Sequence, residues 1–143
     1  AWNLHRATEG LELRCFVLFS SVGGLLGNPG QGNYAAANGF LDALSSRRCR
    51  LGLPALSLAW GPWGSDGMAA ELSEAERARI KRSGMELLSL EQGVDLFDRA
   101  LEGDEPVVMT ANLDTKQLQR QVNEVLPRAL VGVDGPEEDL VVR

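Results

Sequence analysis

Apolar positions along the chain change period several times. Cys15 to Phe19 is an unbroken apolar run, the pattern of a parallel strand buried on both faces, and predicts a strand over Cys15–Ser20. After Gly32 the apolar positions take helical spacing, at Tyr34, Ala37, Phe40, Leu41 and Leu44, predicting a long helix from about Gln31 to Arg50. Its basic end (Arg47, Arg48, Arg50) complements the helix dipole, and Gly52 stops it. Pro54 opens a second continuous apolar strand, ALSLAW. Ser73–Glu76 and Ser89–Gln92 read as capping boxes. The first starts a short charged helix to Arg82, the second a helix with an apolar stripe of Leu90, Val94, Leu96, Phe97 and Leu101. Pro106–Ala111 reads as a third strand, and Asp114–Gln117 caps a short helix to about Asn123. At the other end, residues 1–13 read as a helix terminus stopped around Gly10. Ser21–Gly32 reads as a loop whose five glycines suit close approach to a ligand.

Strand, helix, strand, two helices, strand is the order of an α/β fold, with a parallel sheet and right-handed crossovers. Three strands would leave both edges of an apolar sheet open, so more strands and a missing N-terminal portion are expected. The 143 residues fit one domain, with residues 1–125 as its catalytic part and the acidic, Gly/Pro-punctuated residues 126–143 as linker. The net charge of −6 argues against non-specific nucleic-acid binding. It is unevenly spread: residues 1–64 carry net +2 and residues 65–143 net −8. The first part therefore reads as sheet and cleft, the second as helices with solvated faces. No apolar run is long enough to span a bilayer, and no basic, hydrophobic leader is seen; a cytoplasmic, membrane-free location is expected. Cys15 and Cys49 read as buried, unreactive thiols in a reducing compartment, and no metal site is indicated.

The chemistry concentrates at Ser21, Tyr34 and Asn38. Ser21 stands at the mouth of the first strand, and Tyr34, the chain's one tyrosine, on the first turn of the helix after it. Asn38 follows one helical turn later. A phenol is a weak acid alone, but a nearby cation favours phenolate and makes it a proton donor at neutral pH. A serine hydroxyl can hydrogen-bond the carbonyl that the phenol protonates, so the set suggests carbonyl reduction. Other motifs fare worse. Gly30-Gln-Gly32-Asn-Tyr-Ala35 fits the dinucleotide pattern G-x-G-x-x-A, yet stands about ten residues after the strand instead of directly behind it. Gly27–Gly32 has P-loop spacing without the lysine. Neither Ser20 nor Ser21 lies in G-x-S-x-G, and the one histidine, His5, precedes them, reading as a surface or helix-packing residue. Trp60 reads as core filler. Trp63 and Met68 lie past a strand's carboxyl end, where α/β sheets place ligands, so cleft lining and packing stay open for them.

With these residues placed, FVLFSSVGGLLGNPGQGNYAAANGFLDAL and GLPALSLAWGPWGSDGMA resemble the ketoreductase domains of modular polyketide synthases, within the short-chain dehydrogenase/reductase superfamily. The resemblance covers roughly residues 1–120 and implies the C-terminal half of a Rossmann-like, doubly wound parallel sheet. Asn38 stands where most short-chain reductases have lysine, as in polyketide and fatty-acid ketoreductases. This disfavours a reductase of free small molecules. By resemblance, NADPH reduces a β-keto group tethered to an acyl carrier protein. Tyr34 gives the proton, Ser21 orients the carbonyl, and Asn38 holds a relay water or the family's lysine, which would precede Ala1. The same resemblance puts Tyr34, Gly61 and Pro62 beside the cofactor, and Leu26, Pro29, Asn33, Trp63 and Met68 beside the substrate. The tryptophan marking L-hydroxyl formers is Leu26 here, while Pro29 and Asn33 match the D-hydroxyl class. The missing nucleotide-binding half would be a partner of the chain. The competing expectation is a reductase-like structural module, or a fragment, with no turnover of its own.

Overall fold

The computed structural model describes residues 1–27, 30–64 and 73–116. Helix α1 (Trp2–Thr8) precedes strand β1 (Val17–Ser21), short helix α2 (Val22–Leu26) and long helix α3 (Gly32–Arg50). Then come β2 (Leu56–Trp60), α4 (Glu74–Arg82), β3 (Met85–Glu86), α5 (Leu90–Leu101), β4 (Val107–Thr110) and β5 (Asn112–Leu113). Strands β1, β2 and β4 form one parallel sheet in that order, with Ser21 level with Trp60 and Trp60 with Thr110. The α/β class with a parallel sheet is as expected. The antiparallel pair β3–β5 is not foreseen, being too short to leave a period in the sequence.

Alternation along the strands shows which helix covers which face. Phe16 and Leu18 pack with Leu44 of α3, while Leu56, Leu58, Trp60 and Val108 cluster with Ala100, Leu96 and Phe97 of α5. Helices α3 and α5 thus cover opposite faces. The chain crosses the sheet in one direction, from β1 to β2 to β4, so its two connections have opposite hands. Both cannot be right-handed, which corrects that expectation. The right-handed rule reflects short βαβ units, and the link from β2 to β4 is long, passing through α4 and β3 before α5.

Strand β2 is buried throughout, as its apolar run predicts, but β1 is not. It lies at an edge of the sheet, and Phe19 is 61% exposed although its ring meets Trp60 and Phe97. Cys15 is exposed and Cys49 half-buried, so the expectation of two buried thiols also fails. Both line a cavity of about 270 Å³ with Arg14, Asp104 and Glu105. That cavity lies by the amino ends of the strands, away from Ser21.

Helix α3 buries a different stripe from its apolar one. Tyr34 and Phe40 are exposed, while Asn38, Asp42, Leu44, Ser45 and Arg48 face inward. Hydrogen bonds replace apolar packing along this seam. Ser20 Oγ donates to the Asn38 carbonyl (3.3 Å), Ser57 Oγ to Asp42 Oδ1 (2.7 Å), and Ser45 Oγ to the Pro106 carbonyl (2.6 Å). Arg48, expected to complement the helix dipole, is fully buried. Its Nε donates to the Pro54 carbonyl (3.2 Å), and its guanidinium lies 4.0 Å from the Phe16 ring centroid. It also meets His5 Nδ1 at 3.0 Å. A guanidinium can only donate, so Nδ1 accepts and the ring proton sits on Nε2, which lies 3.1 Å from Glu9 Oε1. Of the two roles expected for His5, surface or helix packing, the structure shows the second, tying α1 to α3.

In α5 the capping box forms as predicted: Ser89 Oγ accepts from Gln92 N (3.2 Å) and Gln92 Oε1 from Ser89 N (3.0 Å). The buried side differs from the predicted stripe. Gly93 and Ala100 turn inward, and Leu90, Val94 and Leu101 are exposed. The helix expected to run on to Asn123 and the expected linker lie outside the described residues past Lys116. Among the described residues no helix is long and apolar enough to cross a membrane, and no three His, Cys, Asp or Glu side chains group to hold a metal.

Candidate active site

Three elements in direct succession build the site. Ser21 ends β1 and is also the N-cap of α2, its Oγ accepting from Gly23 N at 3.2 Å. This turns the segment expected to be a glycine-rich loop into a helix. The glycines serve packing between helices. A Cβ on Gly24 would lie 2.8 Å from Asn38 Cβ and 3.1 Å from Gly39 N, so α2 rests directly on the α3 backbone. A Cβ on Gly23 would lie 3.2 Å from Tyr34 Cε1 and 3.5 Å from Ser21 Oγ. Phenol ring and serine hydroxyl thus flank one point, where glycine leaves room for both.

Tyr34 is 41% exposed, with its ring against Gly23. Asn33 Oδ1 accepts from Tyr34 N (2.9 Å), fixing the first turn of α3. Asn38 is buried, and its Nδ2 donates to the Tyr34 carbonyl (2.9 Å). The other wall is the carboxyl end of β2. Trp60 is level with Ser21, so Gly61 and Pro62 leave the sheet beside the serine. Gly61 N donates to the Thr110 carbonyl (2.9 Å), and a Cβ there would lie 2.9 Å from Ala111 Cβ. The site therefore occupies the carboxyl edge of a parallel sheet, the usual ligand edge of such folds.

Comparison with known proteins gives the family. The KR domain model matches residues 1–65. The chain is 49% identical over 141 residues to the spectinabilin polyketide synthase system protein NorB of Streptomyces orinoci, covering 97% of this chain and 6% of that protein. A solved A-type ketoreductase from a modular polyketide synthase superposes with a TM-score of 0.76 at 38% identity, over 90% of this chain and 27% of that one. The first ketoreductase of the tylosin synthase gives 0.71 at 42% identity, over 85% and 26%. The chain belongs to the polyketide synthase ketoreductases. It spans only a small part of the proteins it matches.

In this ketoreductase chain the structure brings together Ser21, Tyr34, Asn33 and Asn38, with Gly61 and Pro62 adjoining Ser21. Leu26, at the end of α2, is 66% exposed. Pro29 and Met68 lie outside the described residues. Trp63 is half-buried, its ring set on Gly93 and 4.8 Å from the Trp60 centroid. The Gly30–Ala35 motif opens α3, but α2 separates it from β1, so it lacks the strand-to-helix turn that a pyrophosphate needs. The sequence reading missed Gly23, Gly24 and Gly93 as shaping residues. A glycine inside the predicted helix Leu90–Leu101 was the available signal for the last.

Proposed function

We propose that the complete ketoreductase domain reduces a β-ketoacyl thioester, carried on an acyl carrier protein, to the β-hydroxyacyl thioester with NADPH. The observation that carries this is the placement of Ser21 Oγ and the Tyr34 ring on either side of Gly23, at the carboxyl edge of a parallel sheet. The residues present fit the reacting end of the cofactor. Gly61 and Pro62 offer backbone at the edge beside Ser21, where Gly61 lies against Ala111 too closely for any side chain. NADPH, when bound, supplies hydride to the carbonyl carbon.

The chain's own residues do the rest. Ser21 donates its hydroxyl proton in a hydrogen bond to the keto oxygen, polarising the carbonyl and fixing its angle. Tyr34 Oη gives its proton to that oxygen as charge develops there, leaving a hydroxyl and a phenolate to be reprotonated. The amide of Asn38 is committed through Nδ2 to the Tyr34 carbonyl; its oxygen is the group left to hold a relay water or the family's lysine. The family resemblance assigns Leu26, Pro29, Asn33, Trp63 and Met68 to the substrate side. The family pattern at Leu26, Pro29 and Asn33 favours the D-hydroxyl. The nucleotide-binding half of the domain is the proposed partner of β1, whose edge position and exposed Phe19 offer it an apolar surface.

The test follows NADPH consumption by the complete domain with a β-keto thioester, beside the Tyr34→Phe variant. Wild-type turnover with a D-configured product on chiral chromatography is expected, and loss of turnover in Tyr34→Phe with an unchanged thermal melt. A Tyr34→Phe enzyme keeping more than about a hundredth of the rate would remove the phenol from the acid role. An L-configured product would overturn the stereochemical part alone.

A further inference from the structure

Gly93 is buried inside α5, a place where glycine weakens a helix, so its presence calls for a reason. The Trp63 indole supplies one. A Cβ at residue 93 would lie 2.0 Å from Trp63 Cη2, 2.4 Å from Cζ3 and 3.0 Å from Cζ2, so the distal edge of the ring fills the notch that glycine leaves. The backbone around Trp63 is fastened to the same element. Leu88 N donates to the Pro62 carbonyl and Gly64 N to the Leu88 carbonyl, both at 2.8 Å. Leu88 is 1% exposed and directly precedes the Ser89 cap of α5. On the opposite side Gly61 is bonded to Thr110 and stands against Ala111. The exit of β2 is thus held between the end of β4 and the start of α5, and the indole in its notch sets the gap.

We infer that Gly93 and Trp63 are positioning residues for cofactor binding: the ring-in-notch contact holds Gly61 and Pro62 at the edge of the site. This rests on the proposed function, in which that edge meets the cofactor. Neither Ser21 nor Tyr34 depends on the contact, since both belong to the β1–α2–α3 unit. A methyl group at residue 93 must displace the indole, whose distal edge lies 2.0 Å from that position. The ring would pull Pro62 and Gly64 away from Leu88 and loosen both hydrogen bonds.

The experiment compares wild type, Gly93→Ala, Trp63→Phe and the double variant in the complete domain. It measures NADPH affinity by direct titration, KM and kcat with a β-keto thioester, and the thermal melt. Gly93→Ala is expected to raise the Kd and KM for NADPH about tenfold, the scale of losing two hydrogen bonds, while kcat at saturating cofactor changes little. Phenylalanine lacks the distal ring atoms that meet residue 93, so the double variant should regain most of the lost affinity. A merely structural role would lower the melt and the active fraction without moving Kd. That outcome, or a double variant no better than Gly93→Ala, overturns the inference. A wild-type domain that neither binds nor oxidises NADPH overturns the proposed function, and this inference with it.

Discussion

Adding one methyl group at Gly24 should damage the proposed active site, whereas the same change fifteen positions later should not. The Gly24→Ala Cβ would stand 2.8 Å from Asn38 Cβ and 3.1 Å from the Gly39 nitrogen, and the second of these is backbone that no rotamer change can move. Carbon atoms in good contact sit about 3.5–4.0 Å apart, so α2 has to retreat from α3 by about 1 Å. Overpacking of this kind costs about 1–3 kcal/mol. The retreat also carries off Ser21, since its hydroxyl caps α2. A misplacement of about 1 Å between reacting groups costs about 10²-fold in rate. Gly39→Ala is the control. Its Cβ meets nothing within 4 Å, and replacing a helix-interior glycine should stabilise by about 0.5–1 kcal/mol. Urea denaturation of the complete domain gives the stabilities, and NADPH oxidation with a β-keto thioester gives the rates. A Gly24→Ala enzyme as stable and fast as wild type would refute the argument that α2 rests on α3 through this contact.

Ser57→Ala leaves the buried Asp42 without the donor at Oδ1, and Asp42 Oδ2 has no hydrogen-bond partner among the described residues. A loss of about 2–3 kcal/mol is expected in denaturant, partly recovered by adding Asp42→Asn, and an unchanged midpoint would contradict it. Ser21→Ala should lower the reduction rate about 10²–10³-fold, the scale for one transition-state donor, and stability by about 1 kcal/mol for the lost cap. A normal rate with reduced stability would leave Ser21 with capping alone. His5→Leu takes the acceptor from the fully buried Arg48 and should cost about 1–3 kcal/mol. A melt equal to wild type would show that α1 docks without this contact.

Much of the site was legible because it is local. Ser21, Tyr34 and Asn38 fall within one strand–helix–helix unit, so spacing alone placed a hydroxyl and a phenol at one strand end. The apolar run of β2 and the Ser89–Gln92 box also translated directly into structure. What escaped has physical causes. The α3 periodicity put Ala37 and Phe40 in the apolar stripe, yet both are exposed, because the sheet presents Ser20 and Ser57 to this helix and so selects its polar side. Burial of Arg48 depends on His5 and the Pro54 carbonyl, partners too remote in sequence for a charge pattern to reveal. Strand β1 falls short of the burial its apolar run predicts in this chain, at the edge where the proposed nucleotide-binding half of the domain would add.

The polar seam beneath α3 bears on how the fold would fail under stress. Apolar side chains allow a helix to slide or roll in small steps, because dispersion has little directional preference. Hydrogen bonds from Ser20, Ser57, Ser45 and Arg48 admit one position along the axis and one rotation, like a key in a slot. Intermediate placements would strand buried donors and acceptors, so they are strongly disfavoured. Warming or core mutations should therefore thin the population of folded molecules while each survivor keeps Ser21 and Tyr34 aligned, and the activity proposed for the complete domain should track the folded fraction instead of drifting ahead of it.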